Sequence, residues 1–302
     1  MTAALRQPEV HKPALHKTVH LAVQGDVFKA LYFDWERLEL RPNLVFVDAA
    51  GAIVYQINEA GLKGDPIDPS RKLAVVWGDS VVFGVGRSWP CLIDDLAPGY
   101  QFLDGGIEGD GYINVLRRAA DFNRKHDVVL NLLMLGWHPH TMFLFERVAR
   151  GATEGRSASR LRRLFARQPA LIESNRELRA RLTAFLQAVP NTVLLTIPTA
   201  LNPHIVDRDL SEFVVEGFTL LGRLPCTAAT QIGAFAFVRE RNRIALEVCA
   251  AMNVPVVDLY ERFNTEHLDD FRESFSDILH FRAEAYPEVA AAVFGGIKHL
   301  LT

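Results

Sequence analysis

A serine and a distant histidine frame the chemistry available to this chain. Gly78-Asp79-Ser80 follows directly on the apolar run Leu73-Ala74-Val75-Val76-Trp77, and Asp277-Ile278-Leu279-His280 stands far downstream. The first segment puts a hydroxyl on a strand-to-loop corner. The second puts a carboxylate three residues before an imidazole, close enough for both to share one loop or one helical turn. A hydroxyl, a base to take its proton and a carboxylate to orient the base are the parts of nucleophilic acyl transfer. In that role Ser80 attacks, His280 is the base and Asp277 orients it. The competing assignments are a helix-capping serine and a surface histidine beside an N-cap aspartate. Asp79 reads as a loop residue tied to the backbone through its carboxylate.

Elements able to position these groups are legible around them. Apolar strands at Leu73–Trp77, Gln101–Leu103, Val128–Leu135, Val193–Ile197 and Val256–Leu259 alternate with helical patterns. The helices begin with Trp89, Leu92, Ile93 and Leu96 at amphipathic spacing. They continue at Tyr112 to Lys125, Leu171–Val189, Ile232–Met252 and Ala283–Leu301. Strand–helix alternation with apolar strands predicts an α/β fold, a parallel sheet covered on both faces. Such sheets carry their sites at the C-terminal strand ends, where Ser80, Gly109 and His138 all fall.

The N-terminal part has a different texture. Residues 1–15 read as a disordered tail, and residues 16–70 as a small β-rich appendage with a linker. Its strand-like runs are Val19-His20-Leu21-Ala22-Val23, Lys29-Ala30-Leu31-Tyr32-Phe33, Leu44-Val45-Phe46-Val47 and Ile53-Val54-Tyr55. Asp48-Ala49-Ala50-Gly51 reads as the hairpin turn between the last two. Residues 71–302 are then the catalytic domain.

The chain has 302 residues, 49% of them hydrophobic, and a formal net charge of −3. That balance gives no reason to expect a nucleic-acid or membrane-surface partner. The three cysteines are widely spaced and contain no CxxC pair, which suits reduced thiols. No apolar segment has the length of a membrane span and no signal peptide stands at Met1–His20, so a cytoplasmic location is expected.

Val75-Val76-Trp77-Gly78-Asp79-Ser80-Val81-Val82-Phe83-Gly84 resembles the first sequence block of the SGNH, or GDSL-type, hydrolase superfamily, in its bacterial esterase branch. Asp104-Gly105-Gly106-Ile107-Glu108-Gly109 resembles the second block, usually Asn-x-Gly-x-x-Gly, and Asp277 with His280 matches the Asp-x-x-His of the fifth. Leu135-Gly136-Trp137-His138-Pro139 stands where the third block has Gly-x-Asn-Asp, so His138 replaces the asparagine. Ile57-Asn58-Glu59-Ala60-Gly61-Leu62-Lys63-Gly64 is similar to a stretch preceding the catalytic domain in one branch. The resemblance implies a flavodoxin-like three-layer αβα sandwich. It also implies a serine esterase that removes an acetyl or other short acyl group from a sugar or small metabolite, with no cofactor or metal.

The resemblance further implies an oxyanion hole built from the backbone N–H groups of Ser80 and Gly109. His138 is the candidate third donor, a substrate-gripping residue, or the mark of weakened activity. Gly105 and Gly106 read as a plain glycine turn. Trp137 is a candidate substrate contact. Between the third strand and Leu171, an insertion carries Arg160, Arg162 and Arg163 among other arginines. It is either a solvated helix face or a grip on an anionic or carrier-bound substrate. Two functional alternatives use the same fold: an acyltransferase with the same serine chemistry, and a non-catalytic carbohydrate or acyl-carrier binding module.

Overall fold

The computed structural model describes residues 17–20, 32–34, 36–136, 169–200, 219–220, 224–225, 228–263, 271–276 and 279–301. The chain separates into two compact units, Met1–Pro66 and Ile67–Thr302.

The second unit is built on a five-stranded sheet: β6 (Lys72–Gly78), β7 (Tyr100–Gly106), β8 (Val128–Met134), β9 (Thr192–Leu195) and β12 (Val256–Val257). Its spatial order is β12-β9-β8-β6-β7, with every pairing parallel. Taken in chain order these strands give the flavodoxin-like pattern, in which the connections reverse direction on either side of β6. The crevice at the strand ends on that reversal is where such sheets place ligands. Ser80 follows β6 at this point.

Helices cover both faces, which makes three layers. On one side α2 (Trp89–Leu92), with the 3₁₀ turn Ile93–Asp95, packs against α8 (Tyr286–Ile297). A Cβ on Gly296 would come within 2.6 Å of Val257, so that glycine lets α8 lie on β12. On the other side α3 (Tyr112–Asn123), α4 (Pro169–Ala188) and α5 (Ala228–Met252) pack in sequence. Trp77 meets Phe122 of α3 edge to face, with ring centroids 5.4 Å apart. Two further helices, α6 (Leu259–Arg262) and α7 (Phe271–Ser274), are single turns. The short ribbon β10 (Thr219–Leu220) and β11 (Leu224–Pro225) is antiparallel.

The apolar strand pattern has one instructive exception. Asn131 of β8 is fully buried, yet its amide is saturated. Its Oδ1 accepts from Trp77 Nε1 at 2.8 Å and from Asn123 at 2.9 Å, and its Nδ2 donates to Asn123 and Asn191. A buried amide without those partners would cost a few kcal/mol, about 1–3 by mutational data. The helix read from Trp89 also ends early. Trp89 and Ile93 are buried, but Leu96 lies beyond the 3₁₀ turn and is 39% exposed.

The first unit holds β1 (Lys17–His20), β4 (Leu44–Val47) and β5 (Ile53–Ile57) in one sheet. β1 runs parallel to β4, and β4 antiparallel to β5. The turn between β4 and β5 is closed by Asp48, whose Oδ1 accepts from the N–H groups of Ala50 and Ala52, both at 2.9 Å. A second hairpin pairs β2 (Phe33–Asp34) with β3 (Glu39–Leu40). The strand read at 29–33 therefore starts at Phe33 within the described residues.

Candidate functional site

The serine corner is a tight construction. β6 ends at Gly78, where a Cβ would come within 2.3 Å of Val82 Cγ2. Asp79 is buried and caps the short helix α1 (Ser80–Phe83), accepting from Val81 N–H at 3.0 Å. Its carbonyl accepts from the N–H groups of Val82 and Phe83. Ser80 is thus the first helical residue and is partly exposed. The helix ends at Gly84 with φ +53°, and the Tyr286 hydroxyl accepts from Val85 N–H at 2.9 Å. Burial raises the Tyr286 hydroxyl above the usual phenol range, opposed by that backbone bond. From α2, Trp89 Nε1 donates to the Val81 carbonyl at 3.0 Å.

β7 delivers the second segment. Gly105 and Gly106 are residues of the strand rather than a turn, and close approach explains both. A Cβ on Gly105 would lie 2.6 Å from the Trp77 ring, and one on Gly106 would lie 2.4 Å from Phe83 N and 2.8 Å from Asp79 O. Glycine at 106 lets β7 lie against the serine helix, and glycine at 105 makes room for the Trp77 ring of β6. Asp104 is fully buried. Its Oδ1 accepts from Gly106 N–H at 2.7 Å and its Oδ2 from Ser88 Oγ–H at 2.5 Å. Gly109 follows on a turn at φ +69°, a conformation that favours glycine, and it is exposed.

Two buried arginines support this edge. Arg118 donates to Asp110 Oδ2 from Nε at 3.1 Å and from Nη2 at 2.7 Å, and to the Gly105 carbonyl from Nη1 at 2.7 Å. Its guanidinium also lies 5.6 Å from the Trp77 ring centroid. Arg241 of α5 donates to the Gly136 carbonyl at 2.7 Å and lies 5.1 Å from the Tyr112 ring centroid. Burial pulls the Arg241 guanidinium down to about 10, still a cation at neutral pH. The Tyr112 hydroxyl is buried and has no hydrogen-bond partner among the described residues.

Sequence reading missed both arginines. The available signal for Arg118 was a charge on the apolar face of α3, one residue before buried Ala119 and three after buried Val115. Arg241 gave a similar hint, lying between buried Val238 and Ile244 on α5.

The His280 loop closes the site. His280 Nε2 lies 2.7 Å from Ser80 Oγ, within normal hydrogen-bond range. The loop is pinned by a bridge between Phe275 and Phe281 and by Ser276, which donates to the His280 carbonyl from N–H at 2.8 Å and from Oγ–H at 3.1 Å. Beneath it, Phe275 and Phe281 stack with centroids 4.9 Å apart, and Phe263 meets Phe281 edge to face at 4.8 Å. The structure therefore brings Ser80 and His280 together beside the β7 edge. Asp277, Trp137, His138, Arg160, Arg162 and Arg163 lie outside the described residues. Among the described residues no cluster of three or more histidine, cysteine or acidic groups is placed to hold a metal ion. None of the helices there is long and apolar enough to cross a membrane.

No family model matches the sequence, and no curated protein matches it. Solved structures similar to the chain include a lipase/acylhydrolase from Enterococcus faecalis, 18% identical, with TM-score 0.48 over 76% of this chain and 97% of that one. A member of the lipolytic G-D-S-L family from Veillonella parvula is 14% identical, with TM-score 0.45 over 75% and 98%. A catalytic mutant of an acetylxylan esterase from Geobacillus stearothermophilus is also 14% identical, with TM-score 0.46 over 76% and 95%.

Proposed function

We propose that this chain is a serine ester hydrolase of the SGNH type, acting on acetyl or other short acyl esters of a sugar or small metabolite. The observation that carries the reading is the 2.7 Å approach of His280 Nε2 to Ser80 Oγ at the C-terminal edge of the parallel sheet. Ser80 attacks the ester carbonyl while His280 takes the hydroxyl proton. The tetrahedral intermediate collapses, His280 protonates the departing alcohol, and an acyl-Ser80 enzyme remains. Water, deprotonated by His280, then attacks that ester and releases the acid and free Ser80. Asp277 orients the imidazole. The N–H groups of Ser80 and Gly109, with His138 as third donor, hold the oxyanion. Trp137, Arg160, Arg162 and Arg163 are the substrate contacts of this proposal.

A fluorophosphonate probe and a p-nitrophenyl acetate assay test it together. The wild type should be labelled at Ser80 and turn the ester over, and Ser80→Ala should lose both, with turnover down by about 10³-fold or more. Folded protein that resists the probe, or a Ser80→Ala variant of full activity, would remove the assignment.

A further inference from the structure

Gly136 occupies a narrow place. It follows β8 with φ +73°, and a Cβ there would lie 3.2 Å from the Asp110 carbonyl oxygen, 3.2 Å from Asp79 Cβ and 3.3 Å from Asp79 Oδ2. It is therefore wedged between two parts of the site. One is the residue that precedes and caps the serine helix. The other is the Asp110 carbonyl, one residue beyond Gly109. The distance between the attacking hydroxyl and the oxyanion donors depends on how these two parts are spaced. The carbonyl of the wedge residue is held by Arg241, which is 4% exposed and comes from α5, over a hundred residues away in the chain.

We infer that Arg241 is a positioning residue for the reaction: by gripping the Gly136 carbonyl from behind, it keeps that glycine seated between Asp79 and the Asp110–Gly111 peptide. This rests on the esterase reading above. The grip is charge-assisted, and such hydrogen bonds are shorter and stronger than neutral ones. The Tyr112 ring face beneath the guanidinium supplies a second attraction to a cation. The positive charge is also felt by the Asp79 carboxylate, so the same side chain acts on the wedge residue and on one of its two neighbours. A group of this kind contributes to orientation of donors for the transition state rather than to ground-state affinity. Its loss should appear in kcat and leave KM alone.

The test uses the full chain with Arg241→Lys and Arg241→Met, with active sites counted by fluorophosphonate titration of Ser80. Per titrated site, kcat for p-nitrophenyl acetate should fall about tenfold in the lysine variant and about 10²-fold in the methionine variant, with KM within about twofold of wild type. Millimolar methylguanidinium should restore part of the methionine variant's kcat. A role confined to stability would lower the titrated fraction and leave the rate per site intact, and that result overturns the inference. So does a rise in KM at unchanged kcat. If Arg241→Met does not fold, the lysine variant decides alone. If the wild type neither hydrolyses the ester nor takes the probe, the esterase reading fails and this inference falls with it. Wild type and variants that are active and equal sink the inference only.

Discussion

The serine corner and the histidine loop deliver two partner groups to one point by opposite means. The corner relies on buried hydrogen bonds and on backbone contacts that leave no room for a methyl group. Asp79 caps α1, Asp104 holds the Gly106 N–H and Ser88, and Gly78 and Gly106 admit close neighbours. The loop relies on three phenylalanine rings with a short backbone clasp around His280. Hydrogen bonds and steric walls are steep functions of position, whereas dispersion and apolar burial are shallow and non-directional. Changes in the corner should therefore displace the Ser80 hydroxyl out of proportion to their size. Changes in the loop should be forgiven as long as volume is kept.

The corner side of this contrast predicts the largest effect. Gly106→Ala adds one carbon, which would meet the backbone of Phe83 and Asp79 rather than a flexible side chain. Turnover should fall by about 10²-fold or more, because a shift of about 1 Å at a reacting group has that cost. Steady-state kinetics on p-nitrophenyl acetate, with Tm measured alongside, would check it. An alanine variant with wild-type kcat would show that the corner is softer than its contacts imply.

The loop side predicts a graded response. Phe281 is buried, and Phe281→Ala should destabilise the protein by about 3–5 kcal/mol, as for other buried phenylalanines. Phe281→Leu keeps most of the volume and should cost under about 1.5 kcal/mol, if the rings repack as volume-conserving swaps usually do. Denaturant melts read both. A leucine variant as unstable as the alanine variant would mean that ring stacking, not volume, holds the loop.

The smallest expected effect lies beneath the corner, where hydrogen bonding leaves one group unmatched. Tyr112→Phe removes a buried hydroxyl that has no partner among the described residues and keeps the ring face under Arg241. Removing such a group should be neutral or stabilising by about 1 kcal/mol. A loss of Tm would show that the hydroxyl has a partner in solution.

The same contrast explains what could be read in advance. Ser80 and the alternation of strands and helices were legible because they depend on local spacing. His280 was legible from its own tetrapeptide, although the contact it makes is not local. The hairpin turn at Asp48 is local too. Gly105 and Gly106 were read as a turn because two adjacent glycines usually mark one. Only the approach of α1 to Gly106 and of the Trp77 ring to Gly105 shows that they are strand residues cleared of side chains. Arg118, Arg241 and the cluster of Phe263, Phe275 and Phe281 owe their roles to partners distant in the chain or on separate elements. Periodicity marks such residues as core or misfit without saying what they touch.

The contact between His280 and Ser80 spans 200 residues of sequence, and the one between Tyr286 and Val85 spans 201. A ribosome adding about 5–20 residues per second exposes the serine segment roughly 10–40 s before its imidazole partner exists. Through that interval the growing chain holds a serine with no imidazole beside it, and the amide of Val85 awaits its phenolic acceptor. The proposed hydrolytic site is therefore completed late in biosynthesis, only when a remote part of the chain folds back onto the first strand of the sheet.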